Sequence, residues 1–188
     1  MNTIVDLTRA YHFAATKHVN QRRKGEAAEP YMNHLTEVAE LVATASDGKD
    51  IDLIIATVLH DTIEDTSSTP GELSAAFGER VAAIVSEVTD DKSLPKAERK
   101  RLQIEHAAHA SPAARMIKVA DKTSNLRALA LSPPANWPQQ RIDEYAIWAE
   151  RVVDVCRGAN LWLDREFDAA RTALVATIGR DERIEQCP

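Results

Sequence analysis

The sequence predicts an all-α, single-domain helical bundle, and three observations carry that expectation. Apolar side chains recur every three or four residues along nearly the whole chain, the spacing that lines one face of a helix. Two pairs, Thr69-Pro70 and Ser111-Pro112, place a capping hydroxyl just before a proline, as helix starts do. The 188 residues suit one domain, and no internal repeat, low-complexity segment or long linker divides them.

Each element follows from its own residues. Ile4, Leu7, Tyr11, Ala14 and His18 mark a first helical face, and Leu35, Val38, Ala39, Leu41 and Val42 a second. Asp50 is placed to cap a third helix, Ile51 to Leu59, which is apolar on most sides. Its length also suits a buried strand, but the neighbouring helical patterns and the lack of turn chemistry favour helix. In Thr69-Pro70-Gly71-Glu72, threonine is the N-cap, proline fits the first turn and Glu72 completes a capping box. Gly78 ends that short helix. Val81, Ile84, Val85 and Val88 continue as another, and Ser111-Pro112 opens a helix over Ala113 to Ala130. Ser132-Pro133-Pro134 breaks the pattern. Ile142, Tyr145, Trp148, Ala149, Val152 and Cys156 then mark a long helix closed by Gly158, and Leu163, Phe167, Ala170, Leu174 and Ile178 mark the last. The domain is expected to span residues 1–179, with 180–188 as a frayed tail.

Composition removes several functional classes. With 23 Lys and Arg against 29 Asp and Glu, the net charge is −6, which opposes sequence-independent nucleic-acid binding. No apolar run approaches the roughly 18 residues that span a bilayer. Met1-Asn2-Thr3-Ile4-Val5-Asp6 lacks the basic start and apolar stretch of a signal peptide. Two cysteines, Cys156 and Cys187, are too few for a disulfide framework and lack zinc-ribbon spacing. A reduced, cytoplasmic chain is expected.

The densest polar cluster is His60-Asp61-Thr62-Ile63-Glu64-Asp65, directly after the apolar run. Burying unpartnered charge is costly, and metal coordination is one remedy. On a continuous helix, His60, Glu64, Asp61 and Asp65 would lie at roughly 0°, 40°, 100° and 140°, on one side. His34 and Asp121 are further candidates, each among apolar neighbours. Two histidines and two aspartates make a mixed nitrogen and oxygen set that favours Mn, Fe, Co or Zn over Ca. Taken alone, a His-Asp pair is more often a capped helix end, and spacing by itself does not bring the four together.

His34, His60-Asp61 and the distant Asp121 resemble the H…HD…D signature of HD phosphohydrolases. Longer stretches resemble the hydrolase domain of RelA/SpoT proteins, in the same order. They are His18-Val19-Asn20-Gln21-Arg22-Arg23-Lys24, Pro30-Tyr31-Met32-Asn33-His34, His60 to Thr66, Val88-Thr89-Asp90-Asp91-Lys92 and Ala120 to Arg127. The similarity runs from about Leu7 to Ala159 and is greatest to stand-alone, Mesh-type alarmone hydrolases. One departure is Leu35, where the family often has proline after the histidine.

The resemblance implies an HD-type helical bundle with Mn2+ held by His34, His60, Asp61 and Asp121. It implies cleavage of (p)ppGpp, an alarmone of the stringent response, at its 3′ pyrophosphate to give GDP or GTP. Glu64 and Asp65 correspond to the acidic pair that serves hydrolysis. Arg23, Lys24 and Asn125 correspond to nucleotide-contacting positions. The chemistry is coherent: a bound metal lowers the pKa of its water, and a neighbouring carboxylate takes or orients the proton. Lys122 and Arg127 are further candidates to offset substrate charge. Two rivals stay open at this point. One is an HD phosphohydrolase of another nucleotide, a nucleotidase or an NADPH phosphatase, and the other is a non-catalytic alarmone-binding module. Asp90-Asp91 reads as a turn, Lys96 to Arg101 as an exposed helix face that can still steer an anionic nucleotide, and Trp137, Trp148 and Trp162 as packing anchors.

Overall fold

The computed structural model describes residues 2–185, with side chains through residue 177. Among them are ten helices and one isolated bridge between Arg22 and Pro30. In chain order the helices are α1 (Ile4–Lys17), α2 (Met32–Ala45), α3 (Ile51–Val58), α4 (Thr62–Asp65) and α5 (Pro70–Phe77). They continue with α6 (Glu79–Val88), α7 (Lys96–His109), α8 (Pro112–Leu131), α9 (Gln139–Cys156) and α10 (Leu161–Glu185). Of the expected frayed tail, residues 180–185 fall within α10 and residues 186–188 lie outside the described residues, as do the Ile178 side chain and those beyond it.

Helix α8 is the axis of the bundle. It packs against α2, α6, α9 and α10. Its buried positions include Ala114, Ile117, Val119, Ala120, Thr123, Ser124 and Leu126, which go nearly all round it. A helix buried on all sides must carry its polar groups inward for a reason. Here Lys118, Lys122, Thr123 and Ser124 are all buried. Around this axis Leu35, Val38 and Val42 of α2, Ile55 of α3 and Leu163, Phe167 and Leu174 of α10 form one continuous core.

Caps explain where several elements start. Asp50 accepts the Leu53 N–H at 3.1 Å, and Ser111 accepts the Ala114 N–H at 3.2 Å. Thr69 accepts the Glu72 N–H at 3.1 Å, but the Glu72 carboxylate pairs with Lys17 at 2.9 Å instead of returning to the cap. Gly78, at φ 93°, separates α5 from α6 in a conformation a side chain would resist.

The helix from Ile51 ends one residue short of the expected Leu59, so the continuous helix on which His60, Asp61, Glu64 and Asp65 would share one side does not form. Helix α3 stops at Val58, and the chain turns at Leu59, His60 and Asp61 before α4 starts. The Leu59 amide is shared between the Ile55 and Ala56 carbonyls, at 3.1 and 3.2 Å, and the His60 amide reaches the Thr57 carbonyl at 3.3 Å, so the last turn tightens. No described helix is long and apolar enough to cross a membrane.

Candidate active site

The tight turn after α3 places His60 and Asp61 beside the first turn of α2, which carries His34, and the middle of α8, which carries Asp121. His34 Nε2 lies 3.2 Å from Asp121 Oδ1 and 3.6 Å from Asp61 Oδ2. His60 Nε2 lies 3.1 Å from the same Asp61 oxygen. One donor atom each of His34, His60 and Asp121 falls within 4.8 Å of the others. Both imidazoles are almost wholly buried, at 2% and 4% exposure.

His60 settles what this arrangement fits. Its Nδ1 lies 2.8 Å from the Thr57 carbonyl, which only accepts, so Nδ1 carries the proton. Its Nε2 points at the centre, where no aligned hydrogen bond satisfies it. A buried imidazole nitrogen facing two carboxylates calls for a positive charge between them, either a proton on Nε2 or a metal ion that takes its lone pair. The donor set, two nitrogens and two carboxylates, suits a divalent transition metal.

The surrounding groups sharpen the field. Burial works against charge on His60, but the Asp61 and Asp121 carboxylates outweigh it and lift the imidazole to about 9. Burial lowers His34. Burial pushes against ionising Asp61 and Asp121, yet the neighbouring histidines, and Lys122 for Asp121, hold both carboxyls below the usual range. Asp61 also accepts the Tyr31 hydroxyl at 2.5 Å. Asp121 takes Lys122 Nζ at 2.7 Å and Asn125 Nδ2 at 2.7 Å.

The acidic pair follows on α4. Glu64 accepts the Asp90 N–H at 3.0 Å. Burial, with the charges of Asp61, Asp90 and Asp65 adding to it, raises its carboxyl to about 7. Asp65 accepts Gln21 Nε2 at 2.5 Å and pairs with Lys92. Gln21 is held in turn by His18, whose ring stacks on Tyr31 at 5.4 Å. His18 thus braces the acidic pair through Gln21.

His60, Asp61, Asp121, Glu64, Asp65 and Gln21 open on one cavity of about 830 Å3. Arg23, Lys24 and Asn125 line it, and Arg23 reaches Asn125 Oδ1 at 3.2 Å. The loop bearing Arg23 and Lys24 is pressed onto the end of α8. A Cβ on Gly25 would stand 2.2 Å from the Ser132 carbonyl oxygen, so only glycine permits that approach. Arg127 does not line this cavity; it pairs with Glu37 at 3.3 Å and Glu166 at 2.6 Å.

The opposite wall joins the basic run from Lys96, which the sequence offered as a face able to steer an anion, to residues it left outside the site. Lys96, Arg99 and Lys100 of α7 and Arg141, Tyr145 and Trp148 of α9 all face the cavity, as does the buried Lys118. Lys100 and Lys122 each place an ammonium 4.6 Å from the Trp148 ring centre. Arg141 lies 4.2 Å from the Trp137 ring, which also lines the cavity. The two tryptophans read as packing anchors therefore carry the cations of this wall. The cluster of bases at Lys96 to Arg101 was the available signal. Only Arg101 of that group behaves as a plain exposed face, paired with Glu98 and Glu105.

Comparisons with known proteins agree with this geometry. Residues 10–152 match the HD domain family. The chain is 48% identical over 161 residues to the guanosine-3′,5′-bis(diphosphate) 3′-pyrophosphohydrolase MESH1 of Danio rerio, covering 86% of this chain and 89% of that protein. It is 47% identical over 158 residues to the Homo sapiens protein of the same name, covering 84% and 88%. A solved structure described as a metazoan ortholog of SpoT that hydrolyzes ppGpp superposes with a TM-score of 0.86 at 42% identity, covering 90% of this chain and 96% of that one. A Listeria monocytogenes structure superposes at 0.62 with 28% identity, covering 79% and 98%.

Proposed function

The chain belongs to the HD-domain family, and from that premise we propose that it is a metal-dependent guanosine-3′,5′-bis(diphosphate) 3′-pyrophosphohydrolase. It cleaves (p)ppGpp to GDP or GTP and pyrophosphate. The observation that carries this reading is the convergence of His34, His60, Asp61 and Asp121 round one point at the floor of a cation-lined cavity.

These four side chains would hold the ion, which we assign as Mn2+. A divalent metal there would lower the pKa of a water and offset charge on the attacked phosphate. Glu64 takes the proton of the attacking water, since a carboxyl near 7 is matched to a base at neutral pH. Asp65, fixed by Gln21 and Lys92, orients that water. Arg23, Lys24 and Asn125 hold the nucleoside end of the substrate, with the forked guanidinium of Arg23 suited to a base or phosphate edge. The Lys96, Lys100 and Arg141 wall neutralises the diphosphate that stays on the product. A cytoplasmic location, where the nucleotide pool lies, belongs to the same proposal.

The test is product identification with Mn2+ and ppGpp. Release of pyrophosphate together with GDP is expected. Release of orthophosphate, or turnover of a different nucleotide with ppGpp untouched, overturns the substrate assignment. His60→Ala, with folding checked in parallel, abolishes turnover; a variant that remains folded and active removes the metal centre from the mechanism.

A further inference from the structure

The two imidazoles face the centre with the same nitrogen, but their far nitrogens are held by different means. His60 Nδ1 is fixed by a backbone carbonyl, that of Thr57. His34 Nδ1 instead lies 2.9 Å from Ser124 Oγ, on a different helix. Ser124 Oγ lies 2.7 Å from Glu37 Oε2. A carboxylate accepts and a hydroxyl has a single hydrogen, so that hydrogen is committed to Glu37. Ser124 Oγ then has only lone pairs to offer His34, and His34 Nδ1 must carry the proton. Glu37 is steadied on its other oxygen by Arg127, at 3.3 Å. Ser124 is fully buried.

We propose that Ser124 and Glu37 are positioning residues for the metal centre: a relay from α8 back to α2 that locks His34 with its proton on Nδ1 and its Nε2 lone pair aimed at the ion. The inference rests on the metal-dependent reading above and extends it to two residues outside the ligand set. The relay does two things. It selects the ring tautomer, and it places a negative charge one hydroxyl away from the imidazole, which strengthens His34 as a donor. Thr123, the neighbour of Ser124, shows that burial alone does not require this arrangement. Its hydroxyl is equally buried and donates at 2.8 Å to Val119 O of its own helix.

The experiment is calorimetric titration of the metal-free protein with Mn2+, for the wild type, Ser124→Ala, Glu37→Gln and the matched control Thr123→Val. Melting curves of each are recorded alongside. Ser124→Ala and Glu37→Gln are expected to weaken Mn2+ binding by roughly 10–100-fold. At low Mn2+ their kcat falls and is restored by excess metal, while KM for ppGpp stays unchanged. Thr123→Val binds Mn2+ as the wild type does. Glu37 is only half-buried, so its variant keeps the test decisive if Ser124→Ala fails to fold. Equal affinity in wild type and Glu37→Gln overturns the relay, as does an equal loss in Thr123→Val. A wild-type protein that binds no divalent ion overturns the metal reading, and the relay with it.

Discussion

Glu64 is the residue on which catalysis and stability pull in opposite directions. Its carboxyl is raised from an ordinary 4.5 to about 7, by burial first and then by the charges of Asp61, Asp90 and Asp65. A raised acid is disfavoured in its charged form, so the folded state loses stability as pH climbs from the ordinary value through the raised one. Glu64→Gln is therefore expected to melt higher than the wild type in metal-free protein at about pH 8, and alike near pH 4. In the metal-loaded enzyme the same change lowers kcat by roughly 10²–10⁴-fold with little effect on KM, the signature of a lost proton acceptor. Paired melting and kinetic measurements check both halves. A variant that is neither more stable nor slower removes Glu64 from the proposed role. The polar run His60 to Asp65 made Glu64 visible in the sequence. Its partner Asp90 was readable only as a turn, because a separation of 26 positions carries no spacing rule.

Helix α3 shows how a single element sets the site. Its start is local chemistry: Asp50 caps the Leu53 N–H and holds Arg80 through both oxygens at 2.6 Å. Its end is what matters for function, since the turn at Leu59 swings His60 and Asp61 together, where an unbroken helix would splay them by roughly 100°. Asp50→Ala is expected to destabilise the protein by about 1–2 kcal/mol at neutral pH, the cost of a lost cap. The Arg80 guanidinium, helped by the Leu53 N–H, holds the Asp50 carboxyl below its ordinary 3.8. Its contribution is thus complete above that value and disappears as pH falls through the lowered one. Denaturant melts at about pH 7 and about pH 3 should show the gap between wild type and variant closing in acid. A gap that persists at low pH means the ion pair with Arg80 contributes nothing. Apolar periodicity marked α3 correctly but ran on through Leu59, because an apolar residue at a C-cap looks no different from one inside the helix.

At the scale of the whole molecule, charge is divided between surface and cavity. The chain carries a net charge of −6, yet ten Lys and Arg side chains against six Asp and Glu line the cavity. Overall charge repels a polyanionic nucleotide at long range, and the cavity reverses that sign near its mouth. Screening shortens both effects, with a Debye length of about 8 Å at physiological ionic strength. KM for ppGpp is therefore expected to rise several-fold between about 50 mM and 500 mM NaCl, with kcat changing less. A KM indifferent to salt means the basic wall does not face the substrate.

The sequence by itself determined the helical class and the helix starts at Asp50, Thr69 and Ser111, because capping and periodicity are local signals, and through the resemblance it offered His34, His60, Asp61 and Asp121 as candidate ligands. The extent of the resemblance supplied the family. Tertiary structure alone decided three things: the tight turn that brings His60 and Asp61 to one point, the α7 and α9 wall of lysines and arginines on tryptophan, and the line from His34 through Ser124 to Glu37. The turn depends on how α3 ends against its neighbours, and the wall and the relay on residues tens of positions apart meeting in space. Such meetings are set by how α8 packs against its neighbours, and packing leaves no periodic trace along the chain.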